Sequence, residues 1–295
     1  MRVGTRGSDL AMAQTKLVVT GIAMCCPDMD IEVSEIRTVG DRVTDRPLAT
    51  LGGYGAFTKE LDQRILADEI DVAVNSLKDM PVDLTPGTAL AAVLPRGPVE
   101  DILLSSKPLD KLPSGAVIGS SSVRRNAMIR AKRPDLMVKD LRGNVPTRIR
   151  KWKEGEYDAI VLARAGLVRL ELPEEGFILD PEVFIPAPGQ GAIAVVCAAH
   201  SKFLNCLRKL NDKKTRIEVE AERSILRGLG GGCSVPIGAW ATLEDRKLRI
   251  RASVVSDVRG KSVLVDRTLA LEELDKGLAE IVEKLRPAMG GPDAR

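Results

Sequence analysis

The alternation of apolar strand-like segments with helical ones in the first half of the chain most limits what it can fold into. RVGT at 2–5, IEVSEIR at 31–37 and DVAVNS at 71–76 each have the residue pattern of a β-strand. Between these segments, Ser8 is placed to cap one helix and Thr58 to cap another. Strands that alternate with helices predict a mostly parallel α/β sheet.

The same pattern starts again after the Pro and Gly of TPGT and predicts a second α/β unit. AVIG at 116–119, LMVK at 136–139 and DAIVLA at 158–163 have the pattern of strands. Helical patterns cover 122–133 and 144–153, so strands and helices alternate here as well.

The order of elements changes after PAPGQG at 186–191. Helical patterns at 199–210 and 214–228 precede three successive strand patterns, and a last helix follows. Successive strands without helices between them predict an antiparallel sheet. We therefore expect an α/β protein with two α/β domains and a smaller C-terminal α+β domain that contains a three-stranded antiparallel sheet. The expected bounds are 1–86 with 174–196 for domain 1, 87–173 for domain 2 and 197–295 for domain 3.

Composition is typical of a globular protein with more than one domain. The 295 residues are 44% hydrophobic and 29% charged, which excludes disordered and fibrous classes. No apolar run approaches the length of about 18 residues that a membrane-spanning helix needs. The charged N-terminal segment lacks the apolar stretch of a signal peptide. These features predict a cytoplasmic location.

Cysteine and histidine usage narrows the possible chemistry. The five cysteines form no CxxC pair, and an odd count does not predict a disulfide framework. His200 is the single histidine, and its setting AAHSK is typical of a helix surface. Metal sites and histidine-dependent triads are therefore poorly supported. The remaining candidates for chemistry are carboxylates, lysines, arginines and a thiol.

Positive charge is concentrated in one part of the chain. Residues 124–153 contain eleven Lys or Arg against two acids, whereas the net charge of the whole chain is only +3. Solvated helix faces account for part of this excess. Three loop-to-helix turns also combine arginine with hydroxyl or amide groups: TRGS at 5–8, SSSVRR at 120–125 and LRGNVPTR at 141–148. Such turns bind carboxylates or phosphates, and three of them favour an elongated, multiply anionic ligand.

Three classes of function are compatible with these cations. A nucleic-acid binder would need aromatic residues for stacking, but aromatics are only 3% of the chain. An enzyme acting on a polycarboxylate would also need an acid, and NSLKDMP at 75–81 places Lys78 and Asp79 where a strand ends. The alternative for Asp79 is a helix cap or a surface ion pair. A binding module that captures polycarboxylates without converting them is the third possibility.

GLGGGCSVPIG at 228–238 contains the most unusual loop of the chain. A single cysteine is most often a small buried apolar residue. Three glycines directly before Cys233 favour instead a loop with an accessible thiol, because glycine lets a backbone turn sharply and approach a ligand. Cys233 is therefore a candidate nucleophile or attachment point.

Taken together, these motifs resemble the porphobilinogen deaminase (hydroxymethylbilane synthase) family. The resemblance implies a cytoplasmic, monomeric transferase that joins four porphobilinogen molecules head to tail, releases ammonia and liberates hydroxymethylbilane. It implies that the first two domains resemble periplasmic binding proteins, with the active site between them and with no metal. It also implies a dipyrromethane cofactor attached through a thioether. The matching segments, in family order, are TRGSDLAMAQ, GGYGAFTKELD, NSLKDMPV, GSSSVRR, LRGNVPTR, AGLVRL, PAPGQGA and GGGCSVPIG.

The resemblance also implies roles for individual residues. Asp79 corresponds to the catalytic aspartate and Cys233 to the attachment cysteine. The residues implied to hold the cofactor are Ser76, Lys78, Ser122, Arg124 and Arg125. The residues implied to bind substrate and the growing chain are Arg6, Ser8, Gln14, Lys59, Arg142, Asn144, Arg148 and Arg169.

Five positions depart from the family pattern. Asn75 stands where many members have His, Tyr54 where bacterial relatives often have Lys, and Val168 where a basic residue is frequent. Ser120 replaces Thr, and Val39 replaces the arginine of the commoner TRGD motif. These departures concern the binding of carboxylates, whereas both residues implied to carry the reaction are present.

Overall fold

The structure is a computed structural model, and it describes residues 1–38, 58–231, 235–255 and 262–289. The chain divides into two units, Met1–Gly97 with Gly191–Ile217 and Pro98–Gln190 with Glu218–Arg295. The described helices are α1 (Asp9–Cys25), α2 (Lys59–Leu66), α3 (Val123–Lys132), α4 (Val145–Lys153), α5 (Arg164–Arg169), α6 (Leu204–Leu207), α7 (Lys213–Gly228) and α8 (Leu274–Leu285). The described strands are β1 (Arg2–Thr5), β2 (Glu32–Glu35), β3 (Val72–Ser76), β4 (Thr88–Val93), β5 (Asp101–Ser105), β6 (Val117–Gly119), β7 (Met137–Lys139), β8 (Ala159–Ala163), β9 (Phe177–Leu179), β10 (Ile193–Ala198), β11 (Ile237–Glu244), β12 (Lys247–Val255) and β13 (Ser262–Ala270).

The first unit is built on a sheet whose described strands run in the order β2-β1-β3-β10-β4. Strands β2, β1 and β3 are parallel, whereas β10 is antiparallel to both β3 and β4. Val18 and Ile22 of α1 pack on Val3 and Val72, and all four side chains are fully buried. Burial of this helical stripe against the sheet holds α1 in place, because removing such side chains from water stabilises each by about 1.5–3 kcal/mol.

The helix predicted over 199–210 is present only in part. The chain forms a turn after β10, then the short α6, and then a single turn of 3₁₀ helix at Arg208–Leu210. The Ser201 hydroxyl accepts a hydrogen bond from the Phe203 amide at 3.2 Å, a local contact that competes with regular helix. His200 therefore lies in an exposed turn and not on a helix surface.

The cysteine count does not predict a disulfide framework, but the first unit contains one disulfide bond. Cys26, at the C-terminal cap of α1, is bonded to Cys206 in α6, 180 positions later. The two helices pack side by side on the same apolar core, which brings the sulfurs together. Sequence spacing holds no information about such a distant contact.

The second unit contains a sheet with the order β7-β6-β8-β5-β9 in its described strands, and a separate antiparallel sheet β11-β12-β13. Strands β7, β6 and β8 are parallel, whereas β5 is antiparallel to β8 and β9. Ile129 of α3, Phe184 and Val255 of β12 belong to one buried cluster, so both sheets share a core. Glu222 of α7 is fully buried and accepts hydrogen bonds from the amides of Gly189 (2.7 Å) and Ala241 (2.8 Å).

The predicted fold class is confirmed: the chain is α/β, with mixed sheets and a three-stranded antiparallel C-terminal sheet. Two strands belong to a different sheet from the expected one: the bounds assign β4 to domain 2 and β9 to domain 1. β4 pairs with β10 in the first unit, and β9 pairs with β5 in the second. The division into three domains stays a prediction.

None of the described helices is long and apolar enough to cross a bilayer.

Candidate active site

The candidate residues of the first unit follow two neighbouring parallel strands. Val3 of β1 is paired with Val72 of β3, so the loops that follow these strands lie at the same edge of the sheet. Arg6 and Ser8 follow β1, and the Ser8 hydroxyl accepts a hydrogen bond from the Ala11 amide, which caps α1. The positive end of the α1 dipole therefore lies at this edge, beside a half-buried guanidinium.

A hydrogen bond connects α1 with the end of β3. Gln14 of α1 is 2% exposed, and its Nε2 donates a hydrogen bond to the Ser76 hydroxyl at 2.8 Å. The neighbouring Asn75 is 5% exposed, and its Nδ2 has no hydrogen-bond partner among the described residues. A buried donor without a partner costs about 1–3 kcal/mol, so such a group is typical of a position where a ligand oxygen binds.

Lys78 and Asp79 lie in a single 3₁₀ turn, Leu77–Asp79, directly after β3. The fully buried Leu77 anchors this turn, and the Met80 amide donates a hydrogen bond to the Leu77 carbonyl at 3.2 Å. Lys78 and Asp79 are both half-buried. The turn thus presents one cation and one carboxylate at the edge that Gln14 and Ser76 also reach.

The remaining candidate of the first unit is Lys59, and three other positions named from the sequence are not described. Lys59 is exposed, at the first residue of α2. Cys233 lies outside the described residues, as do Tyr54 and Val39.

The candidate residues of the second unit follow three neighbouring parallel strands, β7, β6 and β8. Ser122 follows β6 and caps α3, because its hydroxyl accepts a hydrogen bond from the Arg125 amide at 3.4 Å. The Ser121 hydroxyl binds the Leu141 backbone, whose amide lies 3.0 Å away, so it joins the loop after β6 to the loop after β7. Ser120 is almost fully buried and accepts a hydrogen bond from the Ser122 amide.

Arg124 and Arg125 are buried around one carboxylate, that of Asp101 at the start of β5. Arg124 Nη2 lies 2.8 Å from Asp101 Oδ2, and Arg125 Nη2 lies 2.7 Å from Oδ1. Gln190 Nε2 donates a third hydrogen bond to Oδ1 at 2.9 Å. Burial alone would raise the pKa of Asp101, but the two guanidinium groups outweigh it and hold the pKa well below its ordinary value.

The Asp101 cluster carries a net positive charge, because two guanidinium groups share one carboxylate. Asp101 is absent from the residues predicted from sequence. The signal that points to it is an acid at the first position of the apolar strand DILLS, where a charge is costly unless it is paired. The arginines of SSSVRR, which the fold brings next to Asp101, supply that pairing.

Arg142, Asn144 and Arg148 surround the turn between β7 and α4. Asn144 caps α4 by accepting a hydrogen bond from the Thr147 amide at 3.0 Å, and Arg148 Nε donates to the Gly143 carbonyl at 2.7 Å. Gly143 has φ +113, and a Cβ there would lie 2.7 Å from the Thr147 side chain. This position therefore requires glycine, and the turn holds both arginines at the carboxyl edge of the sheet.

Arg169 ends α5, which follows β8. Burial lowers the pKa of Arg169 to about 10, because the protein surroundings solvate its charge less well than water does. A partly desolvated guanidinium binds a carboxylate more strongly than one in water does. Arg169 thus has the electrostatic character of an anion-binding residue.

Comparison with known proteins gives a consistent result. Residues 1–205 match the family profile described as porphobilinogen deaminase, dipyromethane cofactor binding domain. Residues 216–281 match the profile described as porphobilinogen deaminase, C-terminal domain.

Individual relatives cover nearly the whole chain. The porphobilinogen deaminase of Brevibacillus brevis is 43% identical over 96% of this chain and 93% of its own. That of Syntrophomonas wolfei is 44% identical over 87% of this chain and 85% of its own. A solved structure described as an ABC transporter from Parabacteroides distasonis aligns with 100% of this chain and 96% of its own, at 13% identity and a TM-score of 0.44.

Proposed function

The chain belongs to the porphobilinogen deaminase family, and we propose that the loops at the carboxyl edges of its two parallel strand sets bind and convert porphobilinogen. The activity is that of a transferase of tetrapyrrole biosynthesis. Four porphobilinogen molecules are condensed head to tail with release of ammonia, and hydrolysis liberates hydroxymethylbilane.

The observation that carries this proposal is the group of polar residues at the end of β3 and in the turn after it. Lys78 and Asp79 are half-buried in that turn, and Asn75, near the end of β3, has a buried Nδ2 that lacks a partner among the described residues. Each pyrrole of the substrate carries an acetate and a propionate, so a site for it needs cations and N–H donors together with one acid. The end of β3 and the turn after it offer all three kinds of group.

The described residues also fit a carboxylate-bearing cofactor. We assign its carboxylate side chains to Ser76, which ends β3, to the half-buried Lys78 two residues later, and to Ser122, which caps α3. The Asp101 cluster adds the net positive charge of Arg124 and Arg125. When bound, dipyrromethane supplies the free pyrrole α-carbon at which the condensation starts. Cys233 is the proposed attachment point.

Asp79 is the proposed catalytic residue. Loss of ammonia from porphobilinogen leaves an electron-poor ring with positive charge on the pyrrole nitrogen, and a carboxylate stabilises that charge. The same group accepts and returns a proton at the reacting carbon. Lys78, the residue before Asp79, would bind a neighbouring carboxylate of the ligand and keep it in place during the reaction.

The substrate carboxylates are assigned to the arginines of the second unit and to the first loop of the first unit. Arg142, Arg148 and Arg169 offer planar forks that match a carboxylate with two hydrogen bonds. In the first unit, Arg6 combines with the N-terminal end of α1 in the same task. The proposed substrate-binding residues also include Asn144, Ser8, Gln14 and Lys59.

Release of ammonia tests this proposal against a module that only binds polycarboxylates. Purified protein is incubated with porphobilinogen, and ammonia and the linear tetrapyrrole are measured together. We expect four ammonia molecules for each tetrapyrrole formed. Retention of porphobilinogen without any release of ammonia would contradict the proposed enzymatic activity and favour the binding module.

A cytoplasmic location, a monomeric state and the absence of nucleic-acid binding are part of the proposal.

A further inference from the structure

Three cysteines of the first unit lie together at one end of α1. Cys25 is the last residue of the helix, Cys26 is its C-terminal cap, and Cys206 belongs to α6. Their sulfur atoms all lie within 4.8 Å of one another. The 17 residues of α1 separate this cluster from the Ser8 cap by about 25 Å, so the cysteines are remote from the loop that holds Arg6.

We propose that this cluster, in its reduced form, binds a single thiophilic d¹⁰ metal ion such as Zn²⁺ or Cd²⁺ through three thiolates. Metal–sulfur bonds of about 2.3 Å place the sulfurs of one coordination sphere roughly 3.8–4.0 Å apart. The Sγ atoms of Cys25 and Cys26 are already 3.9 Å apart. Only Cys206 must separate from Cys26 for all three sulfurs to surround an ion.

Charged groups of both signs lie beside the cluster. The C-terminus of α1 carries the negative end of the helix dipole, directly beside Cys25 and Cys26. A divalent ion with three thiolates keeps one negative charge. The Lys209 ammonium group, which donates a hydrogen bond to the Cys25 carbonyl at 3.2 Å, offsets that charge.

Accessibility and ligand type also fit a soft metal ion. The three cysteines are each half-buried, so an ion can reach them from solvent. Cys26 and Cys206 pack against the apolar core of the first unit, which strengthens the attraction between metal and thiolate. Three protein ligands leave a fourth position for water, an arrangement that zinc accepts.

The bonded and metal-binding states exclude each other. Cleavage of the Cys26–Cys206 bond needs two electrons and two protons, which a dithiol supplies as it is oxidised to its own disulfide. The two thiols formed, together with Cys25, then release their protons when the metal binds. The cluster thus holds either a disulfide or an ion, and never both.

Titration of the whole protein with Cd²⁺ tests the site. The protein is reduced with a phosphine, which competes poorly for the metal, and thiolate-to-cadmium charge-transfer absorption is followed. We expect an endpoint of one ion per chain and no such endpoint in unreduced protein. Cys25→Ser, which keeps the disulfide pair intact, should weaken binding at least about tenfold, as should Cys206→Ser. Cys197→Ser is the matched control, because Cys197 is buried in β10 of the same unit, and it should titrate like the unaltered protein.

Three results would each overturn the inference. One is the absence of charge-transfer absorption in reduced protein, and another is equal affinity in Cys25→Ser and the unaltered protein. The third is an identical titration before and after reduction, since binding would then not involve Cys26 or Cys206. Circular dichroism of each variant checks that it is folded. The readout involves no porphobilinogen, so it is independent of the enzymatic proposal.

Discussion

At the scale of single residues, Asp79 is the most direct test of the proposed reaction. Asp79→Asn keeps the size of the side chain but removes the charge and the proton acceptor. We expect turnover to fall by about 10²–10⁴-fold, because that is the contribution of a positioned acid or base. The fold and the bound cofactor should be retained. Initial rates of porphobilinogen consumption measure the loss.

The matched control is Asp83→Asn, which removes an exposed carboxylate four residues away. It should leave turnover close to that of the unaltered protein. If Asp79→Asn behaves in the same way as Asp83→Asn, the carboxylate of Asp79 has no role in the reaction.

Asp101 makes a different contribution, because it stabilises the fold around two buried arginines. Asp101→Asn removes the negative charge that pairs with Arg124 and Arg125, and breaking a buried ion pair costs about 3–5 kcal/mol. The free energy of unfolding in urea should fall by that amount. Asp135→Asn, which removes an exposed partner of Arg133 in the same unit, is the control and should change stability little.

The effect of Asp101 should depend on pH in a defined direction. Because the folded protein lowers the pKa of Asp101 below its ordinary value of 3.8, the carboxylate stabilises the fold above that pH. The stabilisation is lost progressively as pH falls below it. The difference between the unaltered protein and Asp101→Asn should therefore be constant near neutral pH and shrink in acid. A difference that grows on acidification would contradict this account.

The contrast between Asp79 and Asp101 shows how far residue-level prediction extends. Asp79 could be predicted because it follows a strand within a motif, so local sequence places it at a sheet edge. For Asp101, the acid at the start of an apolar segment indicates only that the charge needs a partner; the partners themselves, Arg124 and Arg125, lie on α3 and meet it only when the second sheet is assembled. The role of a charge depends on which other charges the fold buries beside it.

At the scale of elements, the cap of α4 combines a structural and a proposed binding role. Asn144→Ala removes the acceptor for the Thr147 amide and should lower the free energy of unfolding by about 1 kcal/mol. Asn144→Ser restores a capping oxygen but not the carboxamide. We therefore expect Ser to recover stability while KM for porphobilinogen stays raised. Urea unfolding and initial rates measure the two effects. Recovery of both by Ser would mean that Asn144 is only a cap.

Elements that carry a local signal are the ones that sequence predicts. Ser8 caps α1 as predicted, and β1 and β6 have the expected positions, whereas Thr58 precedes α2 without a capping hydrogen bond from its side chain. The patterns do not predict β5, β9 or β10. β10 is almost entirely buried and apolar, and such a run cannot be distinguished from a buried helix by periodicity. Its antiparallel pairing with β3 and β4 joins segments about a hundred residues apart, which local patterns do not contain.

At the scale of the whole molecule, the proposed function requires a cofactor that no residue pattern alone identifies. The net charge is only +3, yet arginine and lysine are concentrated in one segment of the second unit. Repulsion among those cations is relieved when a polycarboxylate binds. A protein that lacks its cofactor should therefore be less stable and more sensitive to proteases than one that carries it.

The intact mass of the protein is the measurement that decides the cofactor assignment. If the Cys233 sulfur carries dipyrromethane through a thioether, the mass exceeds the sequence mass by two linked pyrrole units. A thioether does not exchange with thiols, so the excess should survive denaturation and reduction, whereas the Cys26–Cys206 bond should open. Cys233→Ser should remove the excess and nearly all turnover, while Cys197→Ser retains both. An unmodified mass in freshly purified, active protein would contradict the covalent attachment, because activity would then not depend on a group bound at Cys233.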